Sequence, residues 1–447
     1  MKKFFEAIAN VWKIEELKNR ILVTLGLLLV YRFGAHVTLP GIDATQLNKL
    51  SDQTQEGIGW LIDVFTGGAF SQASVFALGI MPYISASIVV QLMGIAVPYL
   101  QKLQKEGESG RKKINQITRW LTIAITLVQG PGYIYNLYRT LPQEAFLLSS
   151  DSFPFLFSSV VILTTGTIFA MWLGEKITDK GIGNGISLLI LVGIIARMPQ
   201  AFIQEFTSVV TENNGGPLKL LLEIVIWLAI IIACILLIMA VRKIPVQYAR
   251  RTASGDFEQD MMGGNRQWIP LKLNASGVMP IIFAQAIMFI PAALAGLSKS
   301  DTAQTVTSQF QNVFGLAYNV VFALLIIIFT YFYTAITVPT NKMADDLKRS
   351  GGFIPGVRPG VETGDYLDRI MSLITFPGSL FLALIAVFPA VVVSFGVQSQ
   401  WALFYGGTSL LIMVGVAIDT IQQINSYLLN RHYDGLMKSG KNRKAVA

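Results

Sequence analysis

Long windows without a charge dominate this chain, and their spacing predicts helices that cross a membrane. A crossing takes about 20 consecutive apolar residues. Ten such windows can be read, at about 21–38, 74–97, 118–138, 154–174, 184–203, 219–241, 274–295, 316–338, 370–394 and 402–425. Two of the runs exceed one crossing. The charge-free stretch from Val64 to Gln101 would measure about 57 Å as a single helix at 1.5 Å per residue, so it must break. Gly67–Gly68 and Ser71–Gln72 mark the break and leave a short amphipathic piece ahead of the second span. The run 370–418 likewise holds two crossings, with Gln398–Ser399–Gln400 at the turn.

A larger repeat lies over this pattern. Gly79–Ile80–Met81–Pro82 and Gly277–Val278–Met279–Pro280 align at an offset of 198 residues, and Ile84 and Ala86 then fall on Ile282 and Ala284. The two stretches lie in the second and seventh spans, the second span of each half if the chain is two sets of five. Gly and Pro weaken a helix, and membrane helices keep them where protein or a cavity re-satisfies the backbone. Interrupted spans at matching places in two inverted halves point to a pathway at the repeat interface. The predicted fold is therefore an all-α polytopic membrane protein, with ten transmembrane helices in two pseudo-symmetric inverted halves. Its parts are an N-terminal segment 1–20, halves 21–210 and 219–425, a hinge 211–218 built on Asn213–Asn214–Gly215–Gly216, and a tail 426–447.

Composition agrees. The chain is 53% hydrophobic and 14% charged, where a soluble chain carries roughly 25% charge. No cleavable leader pattern precedes the first span. With the N-terminus cytoplasmic, 29 of the 35 Lys and Arg fall in the tails and in 98–119, 175–183, 242–273 and 339–369. That asymmetry puts both termini in the cytoplasm and makes the number of spans even. The net charge of +8 is thus an insertion signal and a contact with anionic lipid, rather than a nucleic-acid surface. Loops as long as 242–273 and 339–369 usually carry function.

No catalytic set can be assembled, so the expectation is a protein that is not an enzyme and uses no cofactor or metal. The two histidines, His36 and His432, lie near an outer span end and in the tail, and the single cysteine, Cys234, lies in an apolar run. Gly181–Ile182–Gly183–Asn184–Gly185 follows a span rather than a strand, which fits a turn into a helix better than a nucleotide loop. Gly351–Gly352–Phe353–Ile354–Pro355–Gly356 lacks the Lys-Ser/Thr of a phosphate loop. Arg32, Arg197 and Glu223 sit near outer span ends, where snorkelling is the default, and Asp419 lies near a cytoplasmic end. The middle is left without charge, whereas an ion-coupled transporter needs ionisable groups at that depth. Ser85, Ser87 and Gln91 in the second span, and Asn274, Ser276 and Gln285 in the seventh, are either weak helix–helix glue or a seam made to part. Ile80 with Ile84, and Ile186 with Ile190, are either ordinary apolar packing or a constriction that seals by dewetting.

Longer runs carry a resemblance. Ala77–Leu78–Gly79–Ile80–Met81–Pro82–Tyr83–Ile84–Ser85–Ala86–Ser87–Ile88 resembles the second span of the SecY family, the large subunits of bacterial Sec translocons. Glu106–Gly107–Glu108–Ser109–Gly110–Arg111, Met171–Trp172–Leu173–Gly174–Glu175, Gly181–Ser187, Pro270–Leu271–Lys272, Phe353–Gly360 and Gly406–Ile412 resemble further runs of that family, in the family's order. The resemblance implies a channel that passes unfolded polypeptide across the cell (inner) membrane and releases transmembrane helices sideways into it. It implies a hydrophobic pore ring at Ile80, Ile84, Ile186, Ile190, Ile282 and Ile412. A plug would lie at about 57–71, with Trp60, Leu61, Ile62, Val64, Phe65, Gly67 and Gly68. Spans two and three against seven and eight would form a lateral gate, on which Pro82, Ser85, Ser87, Gln91, Asn274 and Gln285 fall. Arg358, and Arg250 and Arg251 at the other loop's tip, would meet the SecA ATPase and ribosomes. The further implied partners are the small subunits SecE and SecG, signal-sequence-bearing polypeptides and membrane lipid, with ribosomal RNA the one nucleic acid in reach. One departure stands out: after Arg251 the chain runs Gly255–Asp256–Phe257–Glu258–Gln259–Asp260 and Met261–Met262–Gly263–Gly264, where the family usually has more basic residues.

Overall fold

The computed structural model describes residues 12, 14–47, 58–146, 153–210, 216–248, 266–295 and 312–443. The predicted hinge falls mostly outside them, at 211–215. The chain forms two compact units, Met1–Thr207 with Ser399–Trp401 and Ile412–Ala447, and Ser208–Gln398 with Ala402–Leu411.

Every predicted window holds a helix. The first unit is built on α1 (Glu15–Gly34), the short α2 (Ile58–Thr66), α3 (Met81–Ala96), α4 (Pro98–Lys105), α5 (Glu108–Thr140), α6 (Phe153–Lys180) and α7 (Gly185–Val210). The second begins with α8 (Gly216–Met239), then strands β1 (Val241–Tyr248) and β2 (Arg266–Lys272). It continues through α9 (Met279–Ala295), α10 (Leu316–Thr337), α11 (Thr340–Arg349), β3 (Gly352–Phe353) and α12 (Val361–Ser394). The one-turn α13 (Ser399–Ala402) and the long α14 (Gly407–Arg443) close the chain. Among the described residues six helices are long and apolar enough to cross a membrane, seven if the bent pair Met81–Gly94 and Pro98–Gln104 is one span. The ten-helix layout is the expected one.

The matched Gly-x-Met-Pro stretches turn out to start helices rather than interrupt them. Gly79 and Gly277 both take left-handed backbone, φ 52° and 64°, which costs a glycine nothing. Helices α3 and α9 then begin at Met81 and Met279. Pro82 therefore sits in a first turn, where its missing N–H breaks no helical bond, and it does not loosen the middle of a span. The second span accordingly begins at Met81 instead of 74, because residues 67–80 are used as turns.

The glycine-rich loop 181–185 is likewise a helix-to-helix connection. Asn184 Oδ1 accepts the Ile186 and Ser187 N–H groups at the start of α7, satisfying donors that a helix leaves open. Gly183 has φ 81° and donates its N–H to Gln423 Oε1 of α14 at 2.5 Å. A Cβ on Gly185 would lie 2.0 Å from the Gly174 carbonyl oxygen.

In the second unit the two long loops contribute to one antiparallel sheet of order β2-β1-β3. Val241 pairs with Lys272 and Gln247 with Arg266, and the end of β1 pairs with β3 through Gln247–Phe353 and Tyr248–Gly352. Pro245 pairs with Trp268 of β2 and lies on the stretch of β1 that β3 does not reach. Ile244, Val246 and Leu271 from the sheet bury against Leu347, Ile354, Leu367 and Met371. The loops are thus a folded module with its own core.

Candidate channel site

The segment 58–80 is gripped from four sides within the first unit. The backbone of 67–80 is stitched to the turn after α1 by the Leu39 N–H to Ala73 O bond at 2.8 Å and the Val75 N–H to Val37 O bond at 2.9 Å. Tyr133 of α5 donates its hydroxyl to Phe70 O at 2.8 Å. Phe76 stacks between Tyr31 of α1 and Phe169 of α6, at centroid distances of 5.6 and 6.0 Å. A Cβ on Gly166 of α6 would lie 2.2 Å from the Val75 carbonyl oxygen, so the segment lies directly on that helix.

Two arginines complete the grip, and neither snorkels. Arg32 of α1 donates Nη1 to the Gly67 carbonyl at 2.8 Å. Arg197 of α7 turns inward and pairs through Nη2 with the carboxylate of Asp63, which is 3% exposed. The same Nη2 meets Ser71 Oγ at 2.6 Å, and Asp63 Oδ1 accepts the Ser71 N–H at 2.8 Å. Both side chains turn to protein instead of reaching for an interface, Arg197 to the buried Asp63 carboxylate and Arg32 to the Gly67 carbonyl. Glu223 is also buried rather than snorkelling, 3.9 Å from Lys219 one turn earlier.

Of the isoleucines, Ile80 and Ile190 are buried and Ile84 and Ile186 half-buried in the first unit, where Ile412 is 2% exposed. Ile282 is half-buried on α9 of the second unit. Ile80 caps α3, and Ile84 donates its N–H back to Ile80 O at 3.0 Å, so both stand on the first turn of that helix. Of the 57–71 residues, Ile62 is half-buried and Val64, Phe65, Gly67 and Gly68 are buried. Gly57 and the side chains of Trp60 and Leu61 lie outside the described residues.

Pro82 is buried, and Ser85, Ser87 and Gln91 are half-buried, with Gln91 Nε2 donating to Ser87 Oγ at 3.1 Å. Asn274 is buried and accepts from Ser276 Oγ at 3.2 Å. Gln285, 4% exposed on α9, has an Oε1 with no hydrogen-bond partner among the described residues. Arg358 follows the turn after β3, its side chain 87% exposed and 3.6 Å from Glu362. Arg250 and Arg251 lie beyond the end of β1, outside the described residues.

Sequence reasoning missed Arg32, Arg197 and Asp63 as a set. The available signal was an acid just before the charge-free run together with two arginines near the same membrane face. It also missed the sheet, although Ile244, Val246 and Tyr248 recur at the strand period, with Pro245 and Gln247 between them.

These features define an α-helical polytopic membrane protein with a short helix folded into the heart of one helical unit, and the comparisons with known proteins say which. The SecY family model matches residues 74–421. The chain is 39% identical over 444 residues to the protein translocase subunit SecY of Streptomyces scabiei, covering 97% of this chain and 99% of that one. It is 40% identical over 444 residues to the subunit of the same name from Halalkalibacterium halodurans, covering 97% and 100%. The chain belongs to the SecY family. Its fold is similar to that of a solved protein-conducting channel, with TM-score 0.60, 17% identity and 92% of each chain covered. It also resembles Sec61 in a canine ribosome–channel complex, with TM-score 0.57, 15% identity and 92% of each chain covered. At these identities the structural likeness bears on the fold alone.

Proposed function

We propose that this chain is the channel subunit of a protein translocase, passing unfolded polypeptide across a membrane and releasing transmembrane helices sideways into it. The relatives it matches along nearly its whole length are translocase subunits, and one solved neighbour is described as a SecY protein whose plug domain stabilises the closed state. The observation that carries the reading is α2 with its following turn, a short helix that ends inside the first unit against α1, α5, α6 and α7 instead of crossing. Such a segment is the plug, covering about 57–71.

Ile80, Ile84, Ile186, Ile190, Ile282 and Ile412 form the pore ring. Isoleucine suits a seal around any passing side chain because it is apolar and makes no directional bonds. Pro82, Ser85, Ser87, Gln91, Asn274 and Gln285 line a lateral gate, whose contacts are weak enough to part. The chain does no catalysis itself. The sheet module presents Arg358, and beyond β1 Arg250 and Arg251, to a SecA motor or a ribosome. SecE and SecG are its small membrane subunits, the membrane is the cell (inner) membrane, and both termini are cytoplasmic.

The test is ion conductance of the full-length protein in planar bilayers. Ile190→Gly and Ile84→Ser are expected to raise resting conductance, because a dewetted constriction fills with water once its apolar lining is cut back. Conductance equal to the parent's in both variants would remove the ring assignment.

A further inference from the structure

We propose that Arg197 is a latch that holds the plug docked, acting on Asp63 across a saddle made by three glycines. The inference rests on the channel reading and names the positioning residues within it.

The contacts form a closed circuit. Asp63 stands on α2, Ser71 on the turn that follows, and Arg197 on α7. Both carboxylate oxygens are committed, Oδ1 to the Ser71 N–H and Oδ2 to Arg197, while Arg197 also takes the Ser71 hydroxyl. Gln200 Oε1 accepts from Nη1 of the same guanidinium at 3.1 Å and fixes its plane. A fork of this kind can bind two acceptors at once, which an ammonium does less well.

The glycines make the approach possible. A Cβ on Gly68 would stand 2.9 Å from Arg197 Nη2 and 3.1 Å from its Cζ. A Cβ on Gly67 would stand 2.7 Å from both Arg32 Nη1 and the Gly193 Cα. Gly193 lies four residues before Arg197, on the same face of α7. The helix therefore offers a bare patch to the plug backbone and, one turn on, a cation to its carboxylate. Arg32 closes the other side on the Gly67 carbonyl.

Such a pair is asymmetric in its effects. Removing one partner strands a buried charge, whereas removing both leaves a neutral pair of polar groups. The docked plug therefore depends on Asp63 and Arg197 together and is released by losing either one. Opening exchanges the pair for water around each charge, so the latch parts without breaking the helices that carry it.

The experiment labels the full-length protein in sealed proteoliposomes with a membrane-impermeant maleimide. Val64→Cys, on the buried face of the plug helix, is the reporter, in a Cys234→Ser background. Arg197→Gln and Asp63→Asn are each expected to raise the labelling rate about tenfold or more. The double variant is expected to return to within about threefold of the parent, and Arg197→Lys to fall between parent and Arg197→Gln. Single variants that label at the parent's rate, or a double variant that labels faster than both, would overturn the latch. Should Arg197→Gln or Asp63→Asn fail to accumulate in the membrane, Ser71→Ala and Arg197→Lys decide, with a rise of about two- to fivefold expected and no rise fatal. The ring variants keep the two readings apart. Latch-dependent labelling with unchanged ring conductance contradicts the channel and leaves the latch. Ring-dependent conductance with indifferent labelling does the reverse.

Discussion

Gly193→Ala should loosen the plug while strengthening the helix that carries the change. A Cβ built on Gly193 lies 2.8 Å from the Phe65 carbonyl oxygen, 3.2 Å from the Gly67 nitrogen and 3.5 Å from the Gly67 Cα. All three are backbone atoms of the plug segment, so no side chain can swing away and α2 with its turn must move as a body. Overpacking of this kind costs about 1–3 kcal/mol. Alanine in a helix interior gains about 1 kcal/mol over glycine, but that gain is present whether the plug is docked or not and cancels from the docking equilibrium. The docked-to-undocked ratio should therefore fall by about 5- to 150-fold. Gly26→Ala is the control, since nothing lies within 4 Å of a Cβ there and the change adds helix propensity alone. The assay is the maleimide labelling rate of Val64→Cys, measured beside the thermal midpoint of the detergent-solubilised protein. Fast labelling with an unchanged or raised midpoint is expected for Gly193→Ala, and parental labelling for Gly26→Ala. Parental labelling in both would refute the close approach of α7 to the plug.

Three further outcomes follow from other parts of the molecule. Ile354→Ala opens a hole in the core shared by Ile244, Val246, Leu271 and Leu347, at a cost of about 2–5 kcal/mol. Limited proteolysis should then cut within 339–369 faster, and unchanged sensitivity would contradict the folded loop module. Gln285→Leu removes a buried carbonyl oxygen that lacks a partner among the described residues and should stabilise by about 1–2 kcal/mol, read as a higher thermal midpoint; a lower one would show that the amide is satisfied. Arg358→Ala breaks only an exposed ion pair at 3.6 Å, worth less than about 1 kcal/mol. It should leave the midpoint unchanged and weaken ribosome or motor binding, and full binding would remove Arg358 from the docking surface.

The helices were legible because each apolar window has to be satisfied by hydrogen bonds within its own segment. The start of α3 was less so. Hydropathy cannot tell turns 67–80 from a helix when both are apolar, and only the left-handed Gly79 ahead of Pro82 signals where the helix begins. Arg197 shows the opposite failure. Which way a long side chain turns depends on what it meets, and Asp63 lies 134 residues away in sequence. The sheet was less legible because Arg242, Lys243, Arg266 and Lys272 fit a basic cytoplasmic loop as well as a strand, and Ile244, Val246 and Tyr248 supply only three apolar positions at the strand period. Residues Gly181–Gly185 were readable as a turn, since glycines there answer to close backbone approach and a left-handed φ rather than to a ligand.

The central claim is that polypeptide passes through a ring of isoleucines, and crosslinking tests it most directly. A secretory polypeptide stalled part-way would be presented to the full-length protein carrying cysteine probes at Ile84 and Ile282, with Cys234 removed. Adducts at both positions, formed only when a cytoplasmic motor or ribosome is supplied, are the expected result. No adducts at either position, with the same probes protected instead by a small solute, would contradict the channel and point to a transporter.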